Sequence, residues 1–326
     1  MSPEGQATLF ELSAPELAAA PASPEQHELA SRLPRGVRLG TMSWSFAGWR
    51  GIVYGHDVPE SALSARGLEA YGRHPLLGGV EIDRSYYEPL SVELLSSYAR
   101  QVPDGFQFLV KAHEVCSVQR FPTHARYGSK RGALNPLYLD PIYAAEAVVQ
   151  PVASALGPKL GAILFQFPPA REAPDPQAFA AELERFLSRL PRGIRYAIEL
   201  RDARTFTPAY AAALVASGAL HCHNAWSAMP DVLTQAKQVP PAARRPLIVR
   251  WLLARGERYD DMRARFHPFD RIAREDAPVR SAIARLVAKA AAREVPALVT
   301  INNKAEGCAP ESAFRLARAI VDEGGG

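Results

Sequence analysis

Residues 196–202 read YAIELRD. The run has the apolar and β-branched character of a buried strand, yet it carries Glu199 and Arg201. Side chains two positions apart on a strand share a face, so Tyr196, Ile198 and Leu200 point one way and Glu199 and Arg201 the other. A (β/α)8 barrel accounts for both faces: one packs on the surrounding helices, and the other looks into the barrel, where chemistry sits at the C-terminal ends of the strands.

The pattern recurs along the chain. Runs with strand character fall at 37–44, 79–85, 106–113, 161–168, 195–201, 219–225, 247–253 and 297–303. Segments with helical character fall between them, at 89–103, 140–156, 175–191, 207–218 and 279–294. The alternation predicts one TIM-like barrel domain over residues 37–322, an α/β fold. A doubly wound open sheet is the alternative, but no glycine-rich fingerprint follows the first strand. Residues 1–36, rich in Ala, Pro, Ser and Glu, read as a disordered tail with at most a short helix near 26–32, and 323–326 as a flexible end.

The 326 residues carry a formal charge of +4, too little for a dedicated nucleic-acid binder but compatible with an acidic ligand. No run of about 18 apolar residues suggests a membrane span, and the acidic first residues do not resemble a secretory signal. A cytoplasmic protein is expected. Cys116, Cys222 and Cys308 are widely spaced, which fits free thiols better than a disulfide framework or a metal knuckle.

Strand parity sends a ring of polar groups inward. Glu81 and Asp83 lie between apolar neighbours on the second strand, Lys111 and His113 on the third, Gln166 on the fourth, Arg250 on the seventh and Asn302 on the eighth, with Ser43, His223 and Asn224 at two further strand ends. Such a ring is either a neutralising ionic network or a site. The site reading makes Glu81 or Glu199 a general acid or base tuned by Lys111, with Arg201 and Arg250 clamping an anion and Gln166, Asn302 and Asn303 orienting hydroxyls. The substrate class is then a small anionic or sugar-like molecule, and the chemistry that of a hydrolase or isomerase.

No cofactor is expected. A divalent metal on His113, His223, Glu81 and Glu199 is a weaker reading, because three cations crowd the same rim. Non-catalytic metabolite binding is another alternative. The long basic loop 113–140, with Arg120, His124, Arg126, Lys130 and Arg131, suggests a lid over an anion or, on a further alternative, a nuclease-like surface. The helix start after Gly307 offers an anion site. Trp44 and Trp49 either plug the barrel top or stack on a ligand ring.

An ordered series of motifs resembles one family. GTMSWSFAGWRGIVYG, VEIDRSYYEPLS, FQFLVKAHE, LGPKLGAILFQFPP, YAIELRD, IVRW and TINNKAEGCAPESA are similar to segments of the domain of unknown function 72 family, the YecE-like proteins. The resemblance covers residues 37–322 and implies a TIM-like barrel without implying a reaction. The positions matching its motifs are Trp44, Trp49, Tyr54, Glu81, Lys111, Gln166, Glu199, Arg201, Arg250, Asn302 and Asn303.

Overall fold

In the computed structural model, which describes residues 17–170, 175–243, 245–253, 257 and 259–325, eight parallel strands close into a barrel in sequence order. They are β1 (Val37–Thr41), β2 (Leu77–Ile82), β3 (Gln107–Lys111), β4 (Leu160–Phe167), β5 (Tyr196–Leu200), β6 (Leu220–Ala225), β7 (Leu247–Trp251) and β8 (Ala297–Ile301). Closure comes from β1 pairing with β8 in register from Val37 opposite Ala297 to Thr41 opposite Ile301.

Helices cover the outside, each started by local chemistry. Val92–Arg100 is capped by Ser91, Pro176–Ser188 by Asp175, Pro208–Ser217 by Thr207 and Ala277–Ala291 by Asp276; three of the four also carry proline in the first turn. Between β3 and β4, helical residues run from Pro141 to Leu156 through a π-type turn at Ala145–Val149.

Strand parity divides the core in two. Outward residues such as Tyr196, Ile198 and Leu200 join the large cluster shared with the helices. Inward residues Leu109, Ala162, Leu164, Ala197, Leu220, Cys222, Ile248 and Leu298 form a separate plug inside the barrel. Gly79 makes room for that plug, since a Cβ there would stand 2.6 Å from a Leu298 methyl. Polar residues occupy the next inward positions: Glu81 follows Gly79, Gln166 follows Leu164, Glu199 follows Ala197 and Arg250 follows Ile248.

The expected tail boundary at residue 36 does not hold for residues 17–36. Pro24–Arg32 is a helix with a complete Ser23–Gln26 capping box, Leu17 and Ala20 are buried, and Ala19 bridges to Tyr54. The Leu29 side chain joins the main core, and Arg318 of the last helix pairs with Glu25. Apolar burial outweighs the low-complexity composition of this segment; residues 1–16 of the expected tail lie outside the described residues. At the other end, the helix Ala309–Gly324 runs into the residues expected to be flexible.

Candidate functional site

A cavity of about 280 Å³ opens where the C-terminal ends of the strands converge, just below the usual range of ligand pockets (roughly 300–1,000 Å³). Its wall includes Asp83, Lys111, Gln166, Arg201, Arg250, Asn302, Asn303 and Lys304, together with Phe46, Trp49, Tyr86, Tyr87, Trp226, Leu252 and Leu253.

Beneath it lies an ion network centred on Arg250. Its Nε and Nη2 donate to the two Glu81 carboxylate oxygens at 2.9 and 2.7 Å. Its Nη1 donates to Glu199 and, at 3.3 Å, to Gln166 Oε1, and Nη2 also points at Met42 Sδ at 3.5 Å. A guanidinium has five N–H groups, and all five are engaged. Arg250 lines the cavity but has no donor left for a ligand, which corrects its expected role as an anion clamp.

The two glutamates are equally enclosed. Neither has any exposed surface, and neither reaches the cavity wall. Thr300 donates to Glu81 at 3.2 Å; Arg201 Nε and Asn224 Nδ2 donate to Glu199 Oε1 at 2.9 and 3.1 Å. Burial pushes the Glu81 carboxyl above its ordinary range, with Arg250 working against it. Burial also opposes ionisation of Glu199, but Arg201, Arg250 and Lys111 together outweigh it and hold that carboxyl low. These carboxylates therefore position the arginines. They are not placed to exchange protons with a molecule in the cavity, contrary to the catalytic role expected of them.

Arg201 differs from Arg250. It donates through Nε to Glu199 and through Nη2 to Gln166 Oε1 at 3.1 Å, and Nη1 has no acceptor among the described residues. One face of its guanidinium lies 4.3 Å from the ring centroid of Trp226. Lys111 Nζ donates to Asp83 at 2.7 Å and sits 4.0 Å over the Tyr86 ring. The Asp83 side chain is 41% exposed, so it is the acid that faces the cavity. Burial works against its ionisation, but Lys111 prevails and holds it below the usual carboxylate range.

The other expected site residues divide. Trp49 belongs to the cavity wall but is fully buried, packed against Phe46 at 5.0 Å. Trp44 and Tyr54 are not brought to the cavity: Trp44 packs edge-on to Tyr98 and donates to Leu63 O at 3.0 Å, while the Tyr54 hydroxyl bonds Trp44 O. Asn302 Oδ1 caps Lys304 N at 2.9 Å with Nδ2 on Met42 Sδ at 3.4 Å, and Asn303 Oδ1 accepts Ala309 N at 2.8 Å. Both amides thus serve mainly the turn after β8. That turn also takes most of the expected helix-start anion site: Ala309 N is bonded to Asn303 Oδ1, Pro310 has no N–H, and Ser312 N bonds Cys308 O at 2.9 Å.

His223 is a further correction. Cys222 and Asn224 are the inward residues of β6, so His221 and His223 face the helices. There His221 lies between the Tyr210 hydroxyl (2.8 Å) and Gln235 (3.1 Å), and His223 Nε2 meets Val239 O at 3.2 Å. Burial pushes the His223 imidazole down to about 4. His113 instead bonds the Tyr143 hydroxyl, at 2.5 Å. The metal set considered from sequence is therefore not assembled, and among the described residues no three His, Cys, Asp or Glu side chains cluster as metal ligands would.

The basic loop folds on itself. Arg126 pairs with Glu114 at 2.5 Å and lies over the Tyr87 and Tyr127 rings, Arg120 donates to Gly132 O at 2.6 Å, and Arg131 donates to Gly128 O at 3.0 Å. Its cations are turned largely to their own chain. Sequence reasoning missed Trp226, Tyr86, Tyr87 and Lys304 as wall residues. The available signal was position, since each lies just beyond the C-terminal end of a strand.

The fold and this pocket define the class: a (β/α)8 barrel protein with a polar cavity at the C-terminal ends of its strands. Within that class, the chain belongs to the family described as protein of unknown function DUF72, whose model matches residues 38–325. Two solved structures share the fold. A DUF72 family protein from Thermotoga maritima is 18% identical at a TM-score of 0.60, over 87% of this chain and 98% of that one. One from Enterococcus faecalis is 17% identical at 0.56, over 87% and 95%. No curated protein matches the chain. No helix among the described residues is long and apolar enough to cross a membrane.

Proposed function

We propose that the barrel mouth is the active site of an enzyme acting on a small anionic molecule. The observation that carries this is the difference between the two arginines. Arg250 is donor-saturated and holds the buried glutamates, whereas Arg201 keeps free N–H groups beside Lys111 and Gln166 at the open end. Arg201 supplies a planar fork for a carboxylate or phosphate, and Lys111 Nζ has donors beyond the one given to Asp83. Asp83, kept ionised by Lys111, takes over the general-base role expected of the glutamates. Proton removal by Asp83 suits a hydrolytic or isomerising step.

The test has two stages. Small carboxylates and phosphates should raise the melting temperature of the wild-type protein and leave that of Arg201→Met unmoved. Any turnover then found in a substrate screen should fall by about 10²–10⁴-fold in Asp83→Asn. Equal stabilisation of Arg201→Met by anions removes the anion site. Full turnover by Asp83→Asn removes the base.

A further inference from the structure

The two halves of the mouth differ in chemistry, and their difference names the ligand's other part. In an eight-stranded barrel β2 lies across from β6, and β3 across from β7. Asp83 and Lys111 follow β2 and end β3; facing them are Trp226, beyond β6, and Leu252 and Leu253, beyond β7. Phe46, beyond β1, continues the apolar side, and it and Trp226 are only partly buried where they pack on the Leu252 and Leu253 cluster. One wall thus carries Asp83 and Lys111 beside Tyr86 and Tyr87, and the opposite wall is mainly aromatic and aliphatic, with Arg201 on one face of Trp226 and Lys304 beyond β8.

A polyhydroxylated ligand would need several free donors and acceptors on that second wall. Asn302 and Asn303 spend their side-chain oxygens on the turn after β8, which leaves that wall with unpartnered nitrogens at Asn303 Nδ2 and Trp226 Nε1 among the described residues but no amide oxygen from these two residues to accept from a hydroxyl. Apolar surface opposite a charge cluster instead matches a molecule with an anionic end and a flat apolar body. Resting on the anion-site reading above, we infer that the ligand is an aromatic or heteroaromatic acid or phosphate. Its anion sits on Arg201 and Lys111, and its ring lies against Trp226 and Phe46.

Titration calorimetry on the full chain tests this with two probe series: inorganic phosphate, phenyl phosphate and glucose 6-phosphate, and acetate, benzoate and gluconate. In at least one series the aryl anion should bind tenfold or more tightly than the simple anion and the sugar anion. In Trp226→Ala that aryl-to-simple ratio should fall at least fivefold, and Trp226→Phe should restore most of it. Phe46→Ala, on the same wall, should lower the ratio too, and the wild-type comparison stands without any variant. Simple, sugar and aryl anions binding alike, or a ratio unchanged in Trp226→Ala, overturns the ring inference while leaving the anion site intact. No binding by any anion removes the anion site itself, and the inference with it.

Discussion

Replacing Arg250 by methionine should destabilise the barrel more than any other single change at the mouth. The residue is 2% exposed, and its guanidinium is held by both Glu81 oxygens, by Glu199, by Gln166 and by Met42. In Arg250→Met, Glu199 keeps Arg201 and Asn224, but Glu81 keeps only the Thr300 hydroxyl. An ion left buried without its partner costs about 3–5 kcal/mol, a large part of a typical stability of about 5–15 kcal/mol. At about 2–3 °C per kcal/mol for a chain of this size, the melting temperature should drop by about 6–15 °C.

The loss should depend on pH, and its sign is fixed. Burial already raises the Glu81 pKa against the pull of Arg250, and removing Arg250 raises it further. A carboxyl with a raised folded-state pKa favours the folded state below its unfolded value and opposes it as pH climbs through the folded value. The gap between wild type and variant should therefore be widest near neutral pH and narrow as the solution is acidified toward about pH 5. Removing both partners, in Glu81→Leu with Arg250→Met, should recover at least about 2 kcal/mol. Thermal melts followed by circular dichroism at a series of pH values measure all three effects. A drop under about 2 °C, or a gap that does not change with pH, would refute the view of Arg250 as the counter-ion that Glu81 requires.

Other outcomes follow from particular residues. Arg201→Met should cost less than Arg250→Met, about 1–3 kcal/mol in urea unfolding, because Glu199 retains Arg250 and Asn224. Gly307→Ala should cost about 2–3 kcal/mol, since φ is +119° and a Cβ would meet Ala273 N and Arg271 O at 2.6 Å. Burial, with His27 adding to it, pushes the His74 imidazole down to about 4, so the stability its neutral form supplies is present above the ordinary value of 6.5 and fades as pH falls toward 4. His74→Gln should flatten that acid limb when urea midpoints are compared across the window. Burial pushes the Cys116 and Cys308 thiols up to about 12, and Cys222 is raised as well, so iodoacetamide at about pH 8 should label the three cysteines only after unfolding, as read by mass spectrometry.

The barrel was legible because its strands alternate: Glu199 and Arg201 among Tyr196, Ile198 and Leu200 could satisfy both faces only between helices and an interior. Parity failed where both faces are polar. In HCHNA nothing local says whether the histidines or the cysteine and asparagine turn inward, and Tyr210 and Gln235, distant in sequence, settle it by bonding His221. The ionic ring was legible as a set of residues but not as roles. Whether an arginine is saturated depends on five separate contacts, and residue types cannot count them. Ser23 and Gln26 did carry a capping signal, masked by the surrounding alanine and proline.

The helix Pro24–Arg32 belongs to the outer shell of the barrel, and it bears on how the chain matures. Glu25 and Arg318 meet although 293 positions separate them. This helix packs chiefly on the last one, so the clasp between them can close only after the last helix has been made, as a late event of folding.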